Sequence, residues 1–579
     1  MSTDGICKIK PAYVIEAPKK EINLEHVSQK DKDTLEDKNV TEEPAAKKPK
    51  LNKKKLKGQN KSRGPTYHVD KKDELCSNLI NAVSGEAIPT CNRKNCEFLH
   101  DIKRYLEIKP KDIGDCCYNY QVSGKCSRGL ACRFGTEHIS SEGTNKINEE
   151  KHAAFNANGS QTINSMKHEI QIALRKRTYD FNLAEKCVKY IDTLRNKPDV
   201  IEDDPKPTTG TVTDEDIIKL LSREKTKIDW KDKLFLSPLT TVGNLPFRRV
   251  CKEFGADVTC GEMAMCSSLL QGMPQEWALL KRHQSENLFG VQLCANNPHL
   301  LTKCGQLLQN EIEVDFVDFN LGCPIELVYN SGAGCGLLRR KKVLESCIKS
   351  MSTILNVPFT VKMRTGVYSS EKIAHTLAPK VREWGASLLT IHGRSREQRY
   401  TRQANWEYIE EVAKVAAPLP VLGNGDILSY EDYVRARETA PSISGVMLGR
   451  GALIKPWIFT EIKEQKIWDI SSSERFEIIK KFTNYGLEHW GSDNKGVENT
   501  RRFLLEWLSF LYRYIPVGVL ETPPQKINER PPLYRGRDEL ETLMASSSAS
   551  DWIKISEMLL GPVPENFNFL PKHKANSYN

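Results

Sequence analysis

Eight short apolar stretches recur between residues 230 and 460, and each is followed by a segment long enough to form a helix. Strands that alternate with helices in this way favour a parallel sheet with helices packed against it. Eight such units in roughly 230 residues predict an α/β fold of the TIM (β/α)8 barrel type, with an open doubly wound sheet as the alternative. The predicted strands span residues 234–237, 257–260, 289–293, 316–320, 359–363, 388–391, 420–423 and 445–448.

Polar or chemically useful residues follow nearly every predicted strand, at the point where the strand ends. Active sites of (β/α)8 barrels form at the carboxyl ends of the strands, so these residues should meet. One such residue alone would more often be a structural partner, but the whole set predicts an active site. Its members are Pro238, Leu239, Thr240, Glu262, Met263, Gln292, Asn320, Cys323, Lys362, Arg364, His392, Arg394, Asn424, Gly425, Asp426, Gly449 and Arg450.

The loops after the seventh and eighth strands read Asn424-Gly425-Asp426 and Gly449-Arg450-Gly451. Many barrels of this type hold a phosphate there with backbone N–H groups. A phosphate at that place, with Lys362 in mid-barrel and Gln292 opposite, fits flavin mononucleotide (FMN). Lys362 would offset negative charge on the reduced ring, and Gln292 would bond its pyrimidine edge. No G-x-G-x-x-G follows a strand, so a Rossmann-type nucleotide site is not indicated.

The fourth predicted strand ends in Asn320-Leu321-Gly322-Cys323-Pro324, where glycine and proline impose an abrupt turn. This turn leaves the Cys323 thiol at the mouth of the barrel. A glycine-rich turn at residues 332–336 follows and lets backbone approach a flat ligand closely, because glycine has no Cβ. A buried structural thiol is the alternative, since free cysteine is among the most buried residue types.

Two groups of cysteine and histidine lie ahead of the barrel. Three cysteines and a histidine make a closed tetrahedral zinc site, and zinc supplies the folding free energy that such short segments lack. The sequence therefore predicts two CCCH zinc fingers, with Cys116 as the alternative to Cys117. The predicted ligands are Cys76, Cys91, Cys96 and His100 in the first finger, and Cys117, Cys126, Cys132 and His138 in the second.

Aromatic and basic residues lie among these ligands. Rings that stack on bases and cations that pair with phosphates are what single-stranded RNA binding requires, although some of the rings must pack the fingers themselves. The residues expected to contact RNA are Phe98, Tyr118, Tyr120, Phe134, Arg93, Lys94, Lys125, Arg128 and Arg133. Further upstream, residues 43–63 hold nine Lys/Arg against one acid, which is typical of a nuclear localisation signal or of a polyanion-binding tail.

The composition of the chain excludes some classes of protein. No apolar run approaches the ~18 residues that cross a bilayer, and the first twenty residues lack the apolar core of a signal peptide. We therefore expect a protein that works inside the cell and away from membranes, with its 17 cysteines as thiols or metal ligands.

The chain of 579 residues divides into six predicted parts. The first part is poor in aromatic residues and rich in charge, which predicts disorder. The parts are a disordered Lys-rich tail at 1–70, two zinc fingers at 71–140, a helical segment and linker at 141–215, the catalytic barrel at 216–465, a helical domain at 466–565 and a tail at 566–579.

Several motifs around the strand exits together resemble those of the tRNA-dihydrouridine synthases. They are NLGCP, GAGCGLL, VKMRTG, TIHGRSREQRY, GNGDI and MLGRGAL. The resemblance runs from about residue 75 to about residue 560, and two CCCH fingers ahead of the barrel are similar to those of a eukaryotic branch that acts on the tRNA variable loop. Ser237 is a small departure, since the family usually has alanine before the proline of the first strand.

The resemblance implies an enzyme that binds FMN, reduces it with NADPH or NADH, and then reduces the C5–C6 double bond of a uridine in tRNA. It implies mRNA as a further candidate substrate, a monomer, and a location in the cytoplasm, the nucleus or both. A helical domain would dock tRNA, with Arg501, Arg502, Arg513, Arg535 and Arg537 as candidates. The flavin contacts would be Pro238, Leu239, Thr240, Gln292, Lys362, His392, Asn424, Gly425, Asp426, Gly449 and Arg450.

The same resemblance makes Cys323 the catalytic acid, and the chemistry agrees. Hydride addition at C6 leaves enolate character at C4–C5, so a proton must reach C5. A thiol with its usual pKa near 8.5 is mostly protonated at pH 7 and can supply that proton. We expect Asn320 and Arg364 to orient the base, which must first be flipped out of folded RNA.

Two other functions share part of these features. A flavin-dependent dehydrogenase of free pyrimidines would have the same barrel and cofactor but would not need the fingers or the basic tail. A catalytically inactive CCCH RNA-binding protein would not need Cys323, Lys362 and His392.

Overall fold

The computed structural model describes residues 5–15, 70–83, 85–141, 143–157, 159, 161–196, 226–565 and 567–572. The predicted basic run at 43–63 lies outside the described residues, as do most of the predicted N-terminal tail, the end of the predicted linker and residues 573–579. Within the described part of the chain, no helix is both long enough and apolar enough to cross a membrane.

Eight parallel strands form a closed barrel, as the sequence predicts, and the open-sheet alternative is wrong. Each strand pairs with the next along the chain. The barrel closes between the first two strands, where Leu236 N–H donates to Val258 O at 2.9 Å. The strands are β1 (Leu234–Leu236), β2 (Thr259–Cys260), β3 (Phe289–Cys294), β4 (Phe316–Leu321), β5 (Phe359–Arg364), β6 (Leu388–His392), β7 (Val421–Asn424) and β8 (Gly445–Leu448).

Apolar side chains fill the amino-terminal end of the barrel. Trp230, just before β1, packs edge-to-face against Phe316 of β4 with ring centroids 5.4 Å apart, and Phe316 packs likewise against Phe235 at 5.6 Å. Gly290 on β3 leaves room for this ring, because a Cβ there would lie 2.2 Å from Phe316. The filled end leaves the carboxyl ends of the strands as the open mouth.

Helices surround the barrel and continue into a helical domain. Those of the barrel are Leu245–Glu253, Cys266–Leu269, Pro274–Trp277, Pro298–Glu311, Glu326–Asn330, Lys341–Ile354, Ala374–Glu383, Trp406–Ala416, Tyr430–Thr439, Arg450–Ile454 and Ile458–Glu464. Those of the helical domain are Ser472–Trp490, Asn494–Leu511, Glu539–Ala545 and Ala549–Leu560. A capping box formed by Ser471 and Glu474 begins the first of the latter, because each side chain satisfies a backbone N–H at the helix start.

Helices also lie ahead of the barrel, both in the zinc fingers and in the predicted helical segment that begins at residue 141. They are Ser77–Ile80, Ile102–Ile108, Tyr118–Ser123, Glu149–Ala157, His168–Lys176 and Asn182–Asn196. The last of these packs against two barrel helices, Pro298–Glu311 and Lys341–Ile354. A two-residue strand, Thr162–Ile163, pairs antiparallel with Arg282–His283. The part of this segment from Thr162 to Asn196 is therefore attached to the barrel.

The start of the chain corrects the prediction of a disordered tail over residues 1–70. Residues 5–15 lie along the helical domain, where Cys7 and Ile9 are buried against Val519 and Leu520. Cys7 N–H donates to Arg530 O at 2.9 Å, and further backbone hydrogen bonds continue along the segment. The prediction was wrong here because the composition of seventy residues masks a short stretch, ICKIKPAYVI, with enough apolar side chains to be buried.

Candidate active site and zinc centres

A cavity of about 970 Å³ opens at the carboxyl ends of the barrel strands. The structure brings all twelve residues predicted to catalyse or to bind the cofactor to its wall: Cys323, Pro238, Leu239, Thr240, Gln292, Lys362, His392, Asn424, Gly425, Asp426, Gly449 and Arg450. They meet because parallel strands of a closed barrel all end at the same rim.

The cavity wall also includes Tyr400, Phe510, Ile527 and Lys572. The positions of these four residues could not be inferred from the strand ends. Tyr400 lies in the loop after β6, inside a motif already singled out, so its aromatic ring was an available signal. Phe510 and Ile527 come from the helical domain. Lys572 comes from the end of the described chain, and its Nζ donates to Thr241 Oγ1 at 3.1 Å. No local sequence pattern indicates these last three.

A chain of amide hydrogen bonds holds the turn that carries Cys323. Asn320 Oδ1 accepts from the backbone N–H of Cys323 at 2.9 Å and of Gly322 at 3.2 Å. Its Nδ2 donates to Gln292 Oε1 at 2.8 Å, and Gln292 Nε2 donates to Asp318 Oδ2 at 2.7 Å. The Asn320 side chain thus positions the Cys323 thiol. The sequence predicts a different role, in which Asn320 orients the uracil base of the substrate.

Arg364 and the glycine-rich turn hold the Cys323 turn from the other side. Arg364 Nε donates to Gly322 O at 2.9 Å, and Nη1 donates to Ser395 O at 2.9 Å. Gly334 has a φ of +54°, and a Cβ there would lie 3.1 Å from the Cβ of Cys323. The glycine-rich turn therefore packs directly beneath Cys323, and the two backbone contacts hold Arg364 in place at the cavity wall.

Burial sets the protonation of the thiols near this turn. Cys323 is buried but lines the cavity, and its burial raises the pKa of the thiol. Burial also raises the pKa of Cys335, twelve residues on, to about 11. Both thiols are therefore protonated at neutral pH, but of the two only Cys323 lines the cavity. The wall of the cavity thus offers a proton donor at one defined place.

Positive charge is concentrated on the part of the wall formed by the ends of β5 and β6. Burial, reinforced by the charge of Arg364, lowers the pKa of Lys362 to about 8. The pKa of His392 is held well below its usual range by burial and by neighbouring cations, Arg364 first and Lys362 next. His392 Nδ1 is buried and has no hydrogen-bond partner among the described residues. These residues fit an anionic ligand, which would give the histidine a partner and offset the crowded charge.

Asp426 holds two arginines in place at this wall. Its carboxylate lies 2.5 Å from Arg394 Nη2 and 2.6 Å from Arg450 Nη2. The ring of Tyr400 covers Arg450, with the guanidinium carbon 4.0 Å from the ring centroid. One carboxylate thus faces two guanidinium groups, so the wall keeps a net positive charge.

The eight predicted zinc ligands form two compact groups. Within each group the ligand atoms all lie within 4.8 Å of one another. Sγ atoms are 3.6 Å apart for Cys76 and Cys91, and 3.7 Å apart for Cys132 and Cys117. Zn–S bonds of about 2.3 Å in tetrahedral geometry place sulfur atoms about 3.8 Å apart, so both groups of three cysteines and one histidine fit zinc. Cys117 belongs to the second group, while Cys116 is exposed.

The second finger docks on the helical domain, which corrects part of the predicted RNA surface. Arg133 N–H donates to Ser492 O at 2.8 Å, and Arg133 Nη1 donates to Asn494 Oδ1 at 2.7 Å. Arg128 pairs with Asp493 at 3.5 Å. These two cations are engaged by the corner between the helices Ser472–Trp490 and Asn494–Leu511.

Three aromatic residues of the second finger are likewise committed to packing. Tyr118 packs edge-to-face on Tyr485 of the helical domain with centroids 6.3 Å apart. Tyr120 lies 5.4 Å from the ring of His138, and Phe134 is buried. In the first finger, by contrast, Arg93 and Lys94 are exposed. The first finger therefore keeps the features expected of an RNA-binding surface, while the second is built into the protein.

The arginines proposed for the helical domain divide in a similar way. Arg501 is completely buried, and its Nη2 donates to Leu560 O at 2.8 Å and to Gly561 O at 3.0 Å. Arg537 pairs with Glu541 and Asp469. The expectation of an RNA contact is wrong for Arg501, which ties two helices together. Arg535 is exposed, and Arg502 and Arg513 are half-buried.

Comparison with known proteins agrees with this geometry. A family model described as Dihydrouridine synthase (Dus) matches residues 235–510. A Xenopus tropicalis protein named "tRNA-dihydrouridine(47) synthase [NAD(P)(+)]-like" is 56% identical over 552 residues, covering 92% of this chain and 85% of that protein. Human and Arabidopsis thaliana proteins of the same name are 52% identical over 558 residues and 42% identical over 596 residues. The human match covers 91% of this chain and 84% of that protein, and the Arabidopsis match covers 88% of this chain and 86% of that protein. The chain belongs to the dihydrouridine synthase family.

Proposed function

We propose that this chain is a tRNA-dihydrouridine(47) synthase, an oxidoreductase that uses NAD(P)H and FMN to reduce the C5–C6 double bond of a uridine in the tRNA variable loop. The observation that carries the proposal is that a protonated thiol, Cys323, and a positively charged group of side chains line the same cavity. Family membership and the names of the relatives support it. The same cavity is expected to admit the nicotinamide and the uridine in turn.

The residues of the positively charged wall would hold FMN. Lys362 and Arg450 would bond its anionic groups, and His392 Nδ1 would gain the partner that it lacks among the described residues. Backbone N–H groups of residues 424–426 and 449–450 would surround the phosphate. When bound there, the reduced flavin would supply the hydride for C6 of the uracil.

Cys323 would deliver the proton to C5. The hydride enters at C6, negative charge develops on C5 and on the oxygen at C4, and the S–H bond of Cys323 breaks as the new C–H bond forms at C5. The thiolate then takes a proton from solvent. Burial that raises the pKa of the thiol keeps it in the acid form before the transfer, and Lys362 and Arg364 stabilise the thiolate afterwards through their charge.

The two cysteine groups would each bind one zinc ion. We further propose that the chain acts as a monomer, in the nucleus, the cytoplasm or both, and that uridine in mRNA is a second substrate. A flavin-dependent dehydrogenase of free pyrimidines is the competing function, and the first zinc finger, with its exposed cations, favours RNA over a free base.

A direct assay tests this function. The full-length protein, FMN and NADPH are incubated with unmodified tRNA transcript, with free uridine and with free uracil, and the products are mapped by mass spectrometry. We expect one uridine in the variable loop to gain two hydrogen atoms, with no reaction of the free compounds. Equal or faster reduction of a free pyrimidine would favour the competing function.

Lys362→Met is expected to weaken FMN binding by about ten- to a hundredfold, because it removes a charged hydrogen-bond partner of an anion. The pKa of Lys362 in the free protein is lowered to about 8, so the cation is present below pH 8 and is lost as the pH rises through that value. FMN affinity of the wild type should therefore fall above pH 8.

Fluorescence titration of apo-protein with FMN on either side of pH 8 measures both effects. Lys463→Met, on the outer helix Ile458–Glu464, is the matched control and should leave affinity unchanged. A wild-type affinity that is constant through pH 8, or that keeps the same pH dependence in Lys362→Met, would show that Lys362 does not bond the flavin.

A further inference from the structure

An apolar surface lies beside the mouth of the cavity, directly after the Cys323 turn. Ile325 and Leu327 are 52% and 79% exposed, and Leu327 has the largest exposed fraction among the exposed large apolar residues of the described chain. Ile325 also lines the cavity. Leu327 lies on the short helix Glu326–Asn330, four positions from Cys323. Burial of these side chains against a partner would therefore take place at the edge of the active site.

A band of cations borders this apolar surface. Residues Arg339, Arg340, Lys341 and Lys342 are all exposed, and none of them forms an ion pair with a carboxylate in the described part of the chain. Arg339 Nη1 contacts Tyr329 Oη at 3.3 Å, which joins the band to the helix that carries Leu327.

The placement of these cations is unfavourable for the isolated protein. Arg340 stands at the N-cap position of the helix Lys341–Ile354 without a side-chain capping hydrogen bond, and Lys341 and Lys342 occupy its first turn. The amino-terminal end of a helix carries partial positive charge, so three further cations there repel it. An anionic partner lying across the band would remove this repulsion.

We propose that Leu327, aided by Ile325, inserts into the base stack of the RNA substrate and fills the space that the target uridine leaves when it enters the cavity. Residues 339–342 would hold phosphates of the same strand. This inference rests on the proposed function. A uridine in folded RNA reaches Cys323 only after it is unstacked, which is costly, and an inserted apolar side chain offsets that cost. Continuity with the cavity and the bordering positive charge favour RNA as the occupant of this surface.

The first test compares Leu327→Ala with Leu194→Ala, which removes an exposed leucine that does not line the cavity, on the helix Asn182–Asn196. Pre-reduced holoenzyme is mixed with unmodified tRNA without oxygen, and flavin reoxidation is followed. We expect Leu327→Ala to react about ten- to a hundredfold more slowly, in line with the cost of unstacking. Leu194→Ala and the conservative Leu327→Met should stay within about threefold of wild type, and flavin reduction by NADPH should be unchanged in all three.

The second test observes the flipped nucleotide itself. In a tRNA that carries 2-aminopurine at the target position, binding of the wild type should raise the fluorescence, because the base leaves the stack. Leu327→Ala should bind this tRNA with little loss of affinity but with a small fluorescence rise. Replacing Lys341 and Lys342 by glutamine should make the salt dependence of tRNA binding shallower by about one phosphate contact each.

The outcomes separate this inference from the proposed function. A wild-type protein that reduces no tRNA uridine contradicts the proposed function. An active wild type with a full reaction rate in Leu327→Ala overturns the insertion alone, even if the surface then proves to bind a protein or a second copy of the chain. A slow variant that still gives the full fluorescence rise also overturns it, because the flipping step would be intact.

Discussion

Replacing Cys323 by alanine is expected to slow the reaction of the reduced enzyme with tRNA by about 10²- to 10⁴-fold, because a placed proton donor typically contributes that much. FMN binding and the reduction of the flavin by NADPH should remain at wild-type levels, since neither needs a proton at C5. The measurement is rapid mixing of pre-reduced enzyme with unmodified tRNA in the absence of oxygen, with flavin absorbance as the signal.

Cys335→Ala is the matched control. Cys335 is buried beneath the same turn, and its backbone N–H donates to Cys323 O at 3.3 Å, but its side chain does not line the cavity. We expect this variant to keep most of the activity. If flavin reoxidation by tRNA is normal in Cys323→Ala but is lost in Cys335→Ala, then Cys323 is not the proton donor.

The same role predicts the pH dependence of this half-reaction. Burial raises the pKa of Cys323, so the proton donor is fully present at neutral pH and is lost only as the pH rises above the usual range of a thiol. The rate with tRNA should therefore be level across neutral pH and fall in the alkaline range. A rate that rises with pH there would require the thiolate, and would contradict the role of Cys323 as an acid.

The second large effect is expected from Cys126→Ser, which removes a buried ligand of the second finger. Cys126 Sγ lies 3.5 Å from Ser492 Oγ of the helical domain, and Arg128 and Arg133 contact the same corner. Structural zinc contributes on the order of 10 kcal/mol to folding of such a site. Losing it should release the corner at residues 487–494, lower the melting temperature and expose the helical domain to proteolysis.

Cys91→Ser in the first finger provides the contrast. Its group is only partly buried, and its ligands Cys76, Cys91 and Cys96 pack with Leu130 and Ala131 of the second finger. This variant should therefore lose one zinc ion and tRNA affinity and keep FMN, and its melting temperature should fall less than that of Cys126→Ser. Zinc analysis, thermal unfolding and tRNA titration on both variants distinguish the two fingers. Equal melting temperatures for Cys126→Ser and wild type would show that the second finger does not brace the helical domain.

The sequence predicts the barrel and the cavity well because both depend on local patterns. Short apolar strands are recognisable on their own, and closure of a parallel barrel then brings Cys323, Lys362, His392 and Arg450 to one rim without further information. The Asn320 side chain shows the limit of this reasoning. Its position was predictable, but its bond to the Cys323 backbone follows from the shape of one turn.

Contacts between distant parts of the chain were not predictable. Arg128 and Arg133 look like RNA-binding cations in their own finger, and their partners Asp493 and Asn494 lie more than 360 positions away. Arg501 looks like a surface cation on an amphipathic helix, but it is covered by the helix Ala549–Leu560. Lys572 reaches the cavity only because the end of the described chain returns across the barrel.

The N-terminal segment at residues 5–15, which buries Cys7 and Ile9 against the helical domain, bears on how the protein should be produced. A truncation at residue 70, chosen because the composition suggests a dispensable tail, would remove the apolar side chains that cover Ile515 and Val519 and leave a groove open to aggregation. Gly5 O accepts from Arg530 N–H at 2.8 Å, so a fusion tag joined directly to the first residues would crowd the same groove. A C-terminal tag could obstruct the active site, because Lys572 lines the cavity. Expression of the untagged full-length chain, or a tag with a long spacer ahead of Met1, avoids both problems.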